Sequence, residues 1–269
     1  MSSWLLEGSG DWLDDRALSH GMGVFETLLV VEGSIVDAPS HRQRMEDGCE
    51  RMGLRCPDWR VVAEAIQQHS AEFEDGMLRG RVMRSAGEGG LASDHGENEK
   101  TVLTLVPWTE GPRRLKVATA PWARDERSPL AGVKCTSYAE NLMALRMAAG
   151  QGDLDELLFA NSKGDWCEGT TSNGFAVIGG ELVTPSLDSG CLPGTMRSKV
   201  LRWASELGIP CRERRIPMQE LGEASEIFLT SAIRGVVPVV EFDQKPWPEG
   251  EVCRGLQGRW RRLVGLDRS

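Results

Sequence analysis

Short strands and helices are intermixed along this 269-residue chain, and the mixture follows no steady strand–helix–strand rhythm. Residues 24–31 and 34–36 predict a β-hairpin, because two apolar runs rich in β-branched residues flank a Glu-Gly turn. Residues 41–52 and 58–73 carry apolar side chains at helical spacing. A chain without repeated βαβ units is unsuited to a Rossmann domain or a TIM barrel. We therefore predict an α/β fold of the mixed α+β type.

A break in this pattern predicts a domain boundary. Residues 108–112 end in Gly-Pro, a strong signal for a turn between elements. We predict an N-terminal α/β domain over residues 1–111 and a C-terminal α/β domain over residues 112–269, each large enough for its own core. Further strands are predicted at 77–83, 101–106, 115–120, 156–160, 174–178, 226–230 and 236–240, further helices at 139–149 and 195–207, and a long loop at 85–100.

Composition excludes several classes of function. The formal net charge is −9, so the chain has no basic surface for nucleic acid. No stretch approaches the roughly 20 apolar residues of a membrane span, and the first residues lack the features of a signal peptide. The seven cysteines form no CxxC pair, and the histidines at 20, 41, 69 and 95 are dispersed. We expect a cytoplasmic protein with reduced thiols, no metal site and no membrane or nucleic-acid partner.

One lysine stands apart from the other five. Lys100, Lys116, Lys163, Lys199 and Lys245 lie in polar or charged sequence typical of solvated positions. Lys134 follows the neutral, mostly apolar run 129–133. An amine in apolar surroundings loses its proton more readily and can act as a nucleophile. The same pattern also fits a lysine at a strand end whose amine reaches solvent, and both interpretations stay open on this feature alone.

Two other segments carry candidate chemistry. Glu168 lies in a stretch of small and hydroxyl-bearing residues, where a carboxylate suits a protonated ring nitrogen, although turn carboxylates are also common there. Gly194 and Thr195 open a predicted helix, and the free N–H groups at such an end can bind phosphate. Pro-Gly-Thr is also an ordinary helix start, so both interpretations stay open.

Short motifs follow one another in a shared order along nearly the whole chain. They are Gly-Met-Gly-Val-Phe-Glu-Thr at 21–27, His41-x-x-Arg44-Met45, Lys134-x-x-x-Tyr138, Glu168-Gly169, Asn173-x-Phe175, Leu-Pro-Gly-Thr-x-Arg at 192–197 and Phe-Leu-Thr-Ser-Ala at 228–232. In this order and spacing they resemble the fold-type IV enzymes that depend on pyridoxal phosphate (PLP), the class IV aminotransferases. That family includes branched-chain and D-amino-acid aminotransferases and 4-amino-4-deoxychorismate lyases.

The resemblance implies a role for each matching residue. Lys134 would hold PLP covalently and transfer protons, and Glu168 would pair with the pyridine nitrogen. Arg44 would bind the cofactor phosphate. The other implied cofactor contacts are Tyr138 near the ring hydroxyl and Gly194, Thr195, Ser231 and Ala232 around the phosphate. The family fold has two α/β domains with the cofactor in the cleft between them, usually in a homodimer.

Within the family, three segments resemble the lyase branch: 129–134, 83–90 and 230–239. We therefore expect a 4-amino-4-deoxychorismate lyase of folate biosynthesis, which releases pyruvate and 4-aminobenzoate. Many relatives have an arginine where this chain has Leu29, so another cation must bind the dicarboxylate substrate, and Arg84 and Arg234 are candidates. The alternative interpretation is that Arg84 and Arg234 are ordinary surface arginines. The alternative function is an aminotransferase acting on branched-chain or D-amino acids, and a non-catalytic protein that keeps the fold is the third.

Overall fold

The computed structural model describes residues 2–9, 11–74, 76–92, 96–150 and 152–267. The chain divides into two compact units. The first contains the residues up to Thr109 together with Val133–Tyr138, and the second contains Glu110–Gly132 and the residues from Ala139 onward. The short segment around Lys134 therefore groups with the N-terminal residues. The domain limits 1–111 and 112–269 stay a prediction.

The first unit is built on a five-stranded antiparallel sheet in the order β1-β5-β4-β2-β3. Its elements are β1 (Ser2–Glu7), α1 (Arg16–His20), β2 (Gly23–Val31), β3 (Ser34–Ile35), α2 (Ala38–Met52), α3 (Trp59–Ser70), β4 (Met77–Ser85) and β5 (Thr101–Pro107). The predicted hairpin of β2 and β3 is confirmed. Glu32 and Gly33 at its turn both have positive φ, as a two-residue hairpin turn requires.

The two faces of this sheet have different neighbours. One face carries Val24, Leu28 and Val82, which belong to a core cluster with residues of α2 and α3 such as Met45 and Ile66. Since side chains alternate along a strand, Phe25 and the odd-numbered residues of β4 project from the opposite face. This alternation decides which residues can lie near Lys134.

The second unit contains a nine-stranded mixed sheet in the order β11-β10-β9-β12-β13-β6-β7-β8, with β14 paired to β13. Its strands are β6 (Leu115–Thr119), β7 (Glu156–Ala160), β8 (Trp166–Gly169), β9 (Asn173–Ile178), β10 (Glu181–Pro185), β11 (Cys211–Arg214), β12 (Glu226–Ser231), β13 (Gly235–Phe242) and β14 (Lys245–Pro246). Its helices are α4 (Ala139–Gly150), α5 (Thr195–Glu206) and α6 (Glu251–Leu263), with 3-10 turns at Leu187–Ser189 and Met218–Glu223. Most of its strand pairs are antiparallel, and β6 pairs in parallel with β7 and β13.

The predicted helices and strands are confirmed with ends that differ by a few residues, and sequence reasoning missed α6. This helix is rich in arginine and contains two glycines, yet it buries Cys253, Leu256 and Trp260 along one side. The indole of Trp260 lies against Gly235, where a Cβ atom would come within 2.1 Å of the ring, and Gly235 has a φ of 68°. Any other residue at Gly235 would clash with the Trp260 ring, and its side chain would disfavour the positive φ of this position.

Lys100 corrects one interpretation of the sequence. It was expected to be solvated, but its side chain is fully buried, with Nζ 3.3 Å from Asp15 Oδ2 and 5.1 Å from the centre of the Trp12 ring. The Ser85 hydroxyl donates to the same Asp15 oxygen, which ties the start of the 85–100 segment to this ion pair. Within that segment the residues 93–95, including His95, lie outside the described residues.

No helix in the described parts of the chain is long and apolar enough to span a membrane. All seven cysteines are free thiols.

Candidate active site

The backbone around Lys134 is fastened to the start of β2. The Phe25 N–H donates to the carbonyl of Lys134 at 2.9 Å, and the Thr136 N–H donates to the carbonyl of Gly23 at 2.8 Å. The Lys134 amine lies 4.5 Å from the centre of the Phe25 ring and 5.8 Å from that of Tyr138, and the two rings meet edge to face. Lys134 is therefore an aromatic-flanked amine on a fixed backbone, with Tyr138 beside it.

Two arginines that sequence reasoning missed lie on the same face of the sheet. The Arg81 guanidinium carbon is 4.2 Å from the centre of the Phe25 ring, the ring that also contacts Lys134. Arg81 is an exposed residue, but partial desolvation lowers its pKa, Tyr138 opposes this shift, and the charge of Arg79 adds to it. Among the described residues neither arginine has a carboxylate partner. Strand alternation could have revealed this pair, since β4 places them on the Phe25 side.

Arg84, the expected substrate cation, lies on the opposite face. Its Nε and Nη2 donate to Glu99 at 3.2 and 2.8 Å, and Nη1 donates to Glu7 and Thr101, each at 2.8 Å. The side chain is 8% exposed, and that of Glu99 is fully buried. These contacts occupy every nitrogen of the guanidinium, so Arg84 is a structural ion-pair residue here and its role as a substrate cation is not supported.

Arg44 is held by a residue that sequence reasoning passed over. Its Nε and Nη2 donate to the two oxygens of Glu26 at 2.8 and 2.6 Å, and His41 Nδ1 lies 2.6 Å from the same carboxylate. Burial opposes ionisation of Glu26, but the charge and hydrogen bonds of Arg44, aided by His41, lower its pKa to about 2. Glu26 therefore orients the arginine expected at the cofactor phosphate, and its place in the Phe-Glu-Thr motif was the available signal.

In the second unit, both oxygens of Glu168 are engaged. Glu168 lies on β8 opposite Phe159 of β7, and its side chain is 10% exposed. Oε2 accepts the N–H of Leu192 at 2.9 Å, and Oε1 lies 3.0 Å from Nη1 of Arg124. A buried, oriented carboxylate of this kind can receive a hydrogen bond from a protonated ring nitrogen.

The loop that opens α5 is shaped around Gly194 and Thr195. Asn173 donates to the carbonyl of Leu192 at 2.8 Å, and a Cβ atom at Gly194 would come within 1.9 Å of the Asn173 oxygen. Gly194 is the residue before the first turn of the 12-residue helix, and Thr195 is buried. A glycine is required here, and the helix end that follows it is of the kind that can bind an anion.

Ser231 and Ala232 lie in the turn between β12 and β13. The Ser231 hydroxyl accepts the N–H of Arg234 at 3.2 Å. The guanidinium of Arg234 forms an ion pair with the fully buried carboxylate of Glu156, which also accepts the Thr171 hydroxyl at 3.0 Å. Arg234 therefore connects this turn to Glu156 of β7 and to Thr171. No contact within the described residues supports its predicted role as a substrate cation.

The residues present fit PLP. The described residues supply an amine against aromatic rings at Lys134, a fixed carboxylate at Glu168 and a glycine-shaped helix end at Gly194. Two nitrogens of Arg124 beside Glu168 are buried without a hydrogen-bond partner in the described part of the chain. A Schiff-base amine, a carboxylate for the ring nitrogen and N–H groups for phosphate are the donors that this cofactor requires.

Comparisons with known proteins agree with this chemistry. The model of the amino-transferase class IV family matches residues 23–242. A bifunctional aminodeoxychorismate lyase / D-amino acid transaminase of Mycobacterium tuberculosis is 30% identical over 89% of this chain and 88% of that protein. The branched-chain-amino-acid aminotransferase of Pseudomonas aeruginosa is 27% identical over 93% of this chain and 86% of its own length.

Among solved structures, the 4-amino-4-deoxychorismate lyase of Pseudomonas aeruginosa superposes with a TM-score of 0.86 at 28% identity, covering 97% of this chain and 98% of that one. The predicted mixed α/β fold is thereby confirmed. The chain belongs to the class IV aminotransferase family and is a PLP-dependent enzyme, either a lyase or an aminotransferase.

Proposed function

We propose that this protein is a 4-amino-4-deoxychorismate lyase of folate biosynthesis, which uses PLP to release pyruvate and 4-aminobenzoate. The observation that carries this choice is the pair of arginines, Arg79 and Arg81, on the Lys134 face of the first sheet. The family alone leaves the choice between lyase and aminotransferase open.

The substrate carries one carboxylate on its ring and a second on its enolpyruvyl group. Arg79 and Arg81 are alternate residues of β4, so their cations repel each other unless an anion lies between or beside them. Arg81 shares the Phe25 ring with the Lys134 amine. A dianion near Lys134 can pair with both charges, whereas the apolar side chain of a branched-chain amino acid cannot.

PLP, when bound, supplies an electron sink for charge that develops on the substrate. Lys134 would hold the cofactor through its amine, and the same amine would take a proton from the substrate ring carbon. Lys134, or a water that it positions, delivers a proton to the departing enolpyruvyl group. The C–O bond to that group breaks, pyruvate leaves, and the ring becomes aromatic.

The remaining residues bind and orient. Glu168 would present its carboxylate to the ring nitrogen, and Arg44, oriented by Glu26, would bind the phosphate. Gly194 and Thr195 at the start of α5, with the turn at Ser231 and Ala232, would form the rest of the phosphate site. Tyr138 would contact the ring hydroxyl.

The alternative is an aminotransferase acting on branched-chain or D-amino acids, and the similarity to the aminotransferase and bifunctional relatives favours it. Such an enzyme would show ping-pong kinetics and leave the amino group on the cofactor after the first half-reaction. A lyase returns the cofactor unchanged in every turnover and needs no acceptor oxo acid.

The deciding experiment measures 4-aminobenzoate formed from 4-amino-4-deoxychorismate by the wild type, by Lys134→Ala and by Lys245→Ala, which changes an exposed lysine. We expect turnover in the wild type and in Lys245→Ala and none in Lys134→Ala. A yellow, PLP-loaded wild type that forms no 4-aminobenzoate but transfers amino groups would replace the lyase with the aminotransferase.

We also propose that the enzyme works as a cytoplasmic homodimer, as the family resemblance implies. Sedimentation equilibrium of the PLP-loaded protein should give twice the chain mass of 29.6 kDa. A mass of one chain at enzyme concentrations that show full activity would contradict this.

A further inference from the structure

Arg124 lies in the loop that follows β6 and is tied to the end of β7. Its backbone N–H donates to the carbonyl of Ala160 at 2.9 Å, and its backbone forms an isolated parallel β-bridge with that of Asn161. The guanidinium carbon is 4.2 Å from the centre of the Phe159 ring. Both the backbone and the side chain of Arg124 are therefore held beside the strand that pairs with Glu168.

The contact with Glu168 is an ion pair in poorly solvated surroundings. Nη1 of Arg124 is 3.0 Å from Oε1 of Glu168, and the two side chains are 18% and 10% exposed. The other Glu168 oxygen accepts the Leu192 N–H. A cation at this distance favours the ionised form of a carboxylate, so Arg124 supplies a charge that stabilises ionised Glu168.

The remaining nitrogens of Arg124 argue against a purely structural role. Nε and Nη2 are buried and have no hydrogen-bond partner among the described residues. A buried guanidinium with two unsatisfied nitrogens is costly, and a neutral side chain of similar size would fill the space against Phe159 at lower cost. The feature that a neutral residue cannot supply is the positive charge next to Glu168.

We propose that Arg124 is a positioning residue whose charge decides which group holds the proton shared between Glu168 and the ring nitrogen of bound PLP. A proton on Glu168 cancels the ion pair with Arg124, whereas a proton on the ring nitrogen preserves it. Arg124 therefore keeps Glu168 ionised and the ring nitrogen protonated, the state in which the cofactor withdraws electrons best. This inference rests on the proposed role of Glu168.

The test is the ¹⁵N chemical shift of the ring nitrogen in the enzyme loaded with ring-¹⁵N-labelled PLP. Arg124→Gln keeps a hydrogen-bond donor and removes the charge, and Arg124→Lys keeps the charge. Arg127→Met is the matched control, because Arg127 lies in the same loop, is 76% exposed and pairs with Asp125. Glu168→Gln tests the premise, and thermal melting of each loaded variant checks the fold.

We expect a protonated ring nitrogen in the wild type, Arg124→Lys and Arg127→Met, and a shift toward the unprotonated position in Arg124→Gln and Glu168→Gln. The kcat of Arg124→Gln should fall by about 10- to 100-fold, as for other residues that orient a ligand-binding group. A ring nitrogen that stays protonated in Arg124→Gln but not in Glu168→Gln overturns the role of Arg124 alone. If Glu168→Gln also leaves the nitrogen protonated, the proposed role of Glu168 fails instead.

Discussion

Arg81 and Arg84 lie three residues apart on β4, yet the two faces of the sheet give them opposite neighbours. On the face covered by helices, Arg84 is bonded to Glu99, Glu7 and Thr101 and is almost fully buried. On the other face, Arg81 rests on Phe25 beside Lys134 and has no carboxylate partner among the described residues. For these two arginines of β4, strand parity separates a residue engaged in ion pairs within the fold from one that can bind a substrate.

The largest effect on stability is expected for Arg84→Met. Removing the cation leaves the buried carboxylate of Glu99 without its closest partner, which should destabilise the fold by about 3–5 kcal/mol. Urea unfolding measures this loss, with Arg81→Met as the matched control on the opposite face. An Arg84→Met protein of unchanged stability that binds substrate poorly would reverse the assignment of the two faces.

Low pH should reveal how much the ion-pair cluster of Glu26, Arg44 and His41 on the helix-covered face stabilises the fold. Glu26 has a pKa of about 2 in the folded protein, below its ordinary value of 4.5. A group of this kind stabilises the fold above its unfolded pKa, and the stabilisation is lost as the pH falls toward the folded value. We expect a loss on the order of 3 kcal/mol between pH 4.5 and 2. Urea unfolding over this range should show the loss in the wild type and in Glu46→Gln, and a smaller one in Glu26→Gln.

Arg81→Met should leave stability within about 0.5 kcal/mol of the wild type and impair catalysis. A charged hydrogen bond to a substrate carboxylate contributes about 1.5–3 kcal/mol, so kcat/KM for 4-amino-4-deoxychorismate should fall by roughly 10- to 150-fold. Steady-state kinetics measure this, and Arg81→Lys should recover part of it. Unchanged kcat/KM in Arg81→Met would remove the main support for a dicarboxylate substrate.

The smallest effect is expected for Arg79→Met. Both arginines are exposed, but only Arg81 rests on the Phe25 ring and is partly desolvated, so water weakens the attraction of Arg79 to the substrate more. We expect kcat/KM to fall about 2- to 5-fold, with a stronger dependence on salt than for Arg81→Met. A loss larger than that of Arg81→Met would place the second carboxylate at Arg79 and call for a different substrate orientation.

The sequence predicted local features well and distant partners poorly. Strand β4 and helix α5 follow from hydrophobic spacing, whereas the roles of Lys134 and Glu168 stay predictions from motif order. The burial of Lys100 depends on Asp15, which lies 85 positions away in the chain, so no local pattern could reveal it. The alternation of side chains along β4 shows that Arg81 and Arg84 lie on opposite faces of the sheet. Their different contacts depend on Glu99 and Phe25, which come near only when the strands pair.

The hydrogen bond from Leu192 to Glu168 joins two parts of the proposed cofactor site that would otherwise be independent. Leu192 lies in the loop that leads to Gly194 and Thr195, so the carboxylate expected at the ring nitrogen also anchors the peptide before the helix end expected at the phosphate. Binding at either end then prepares the other, which is a thermodynamic linkage, and the two halves of the cofactor should bind together more tightly than their separate affinities suggest. Such linkage would make the enzyme discriminate against fragments of its own cofactor.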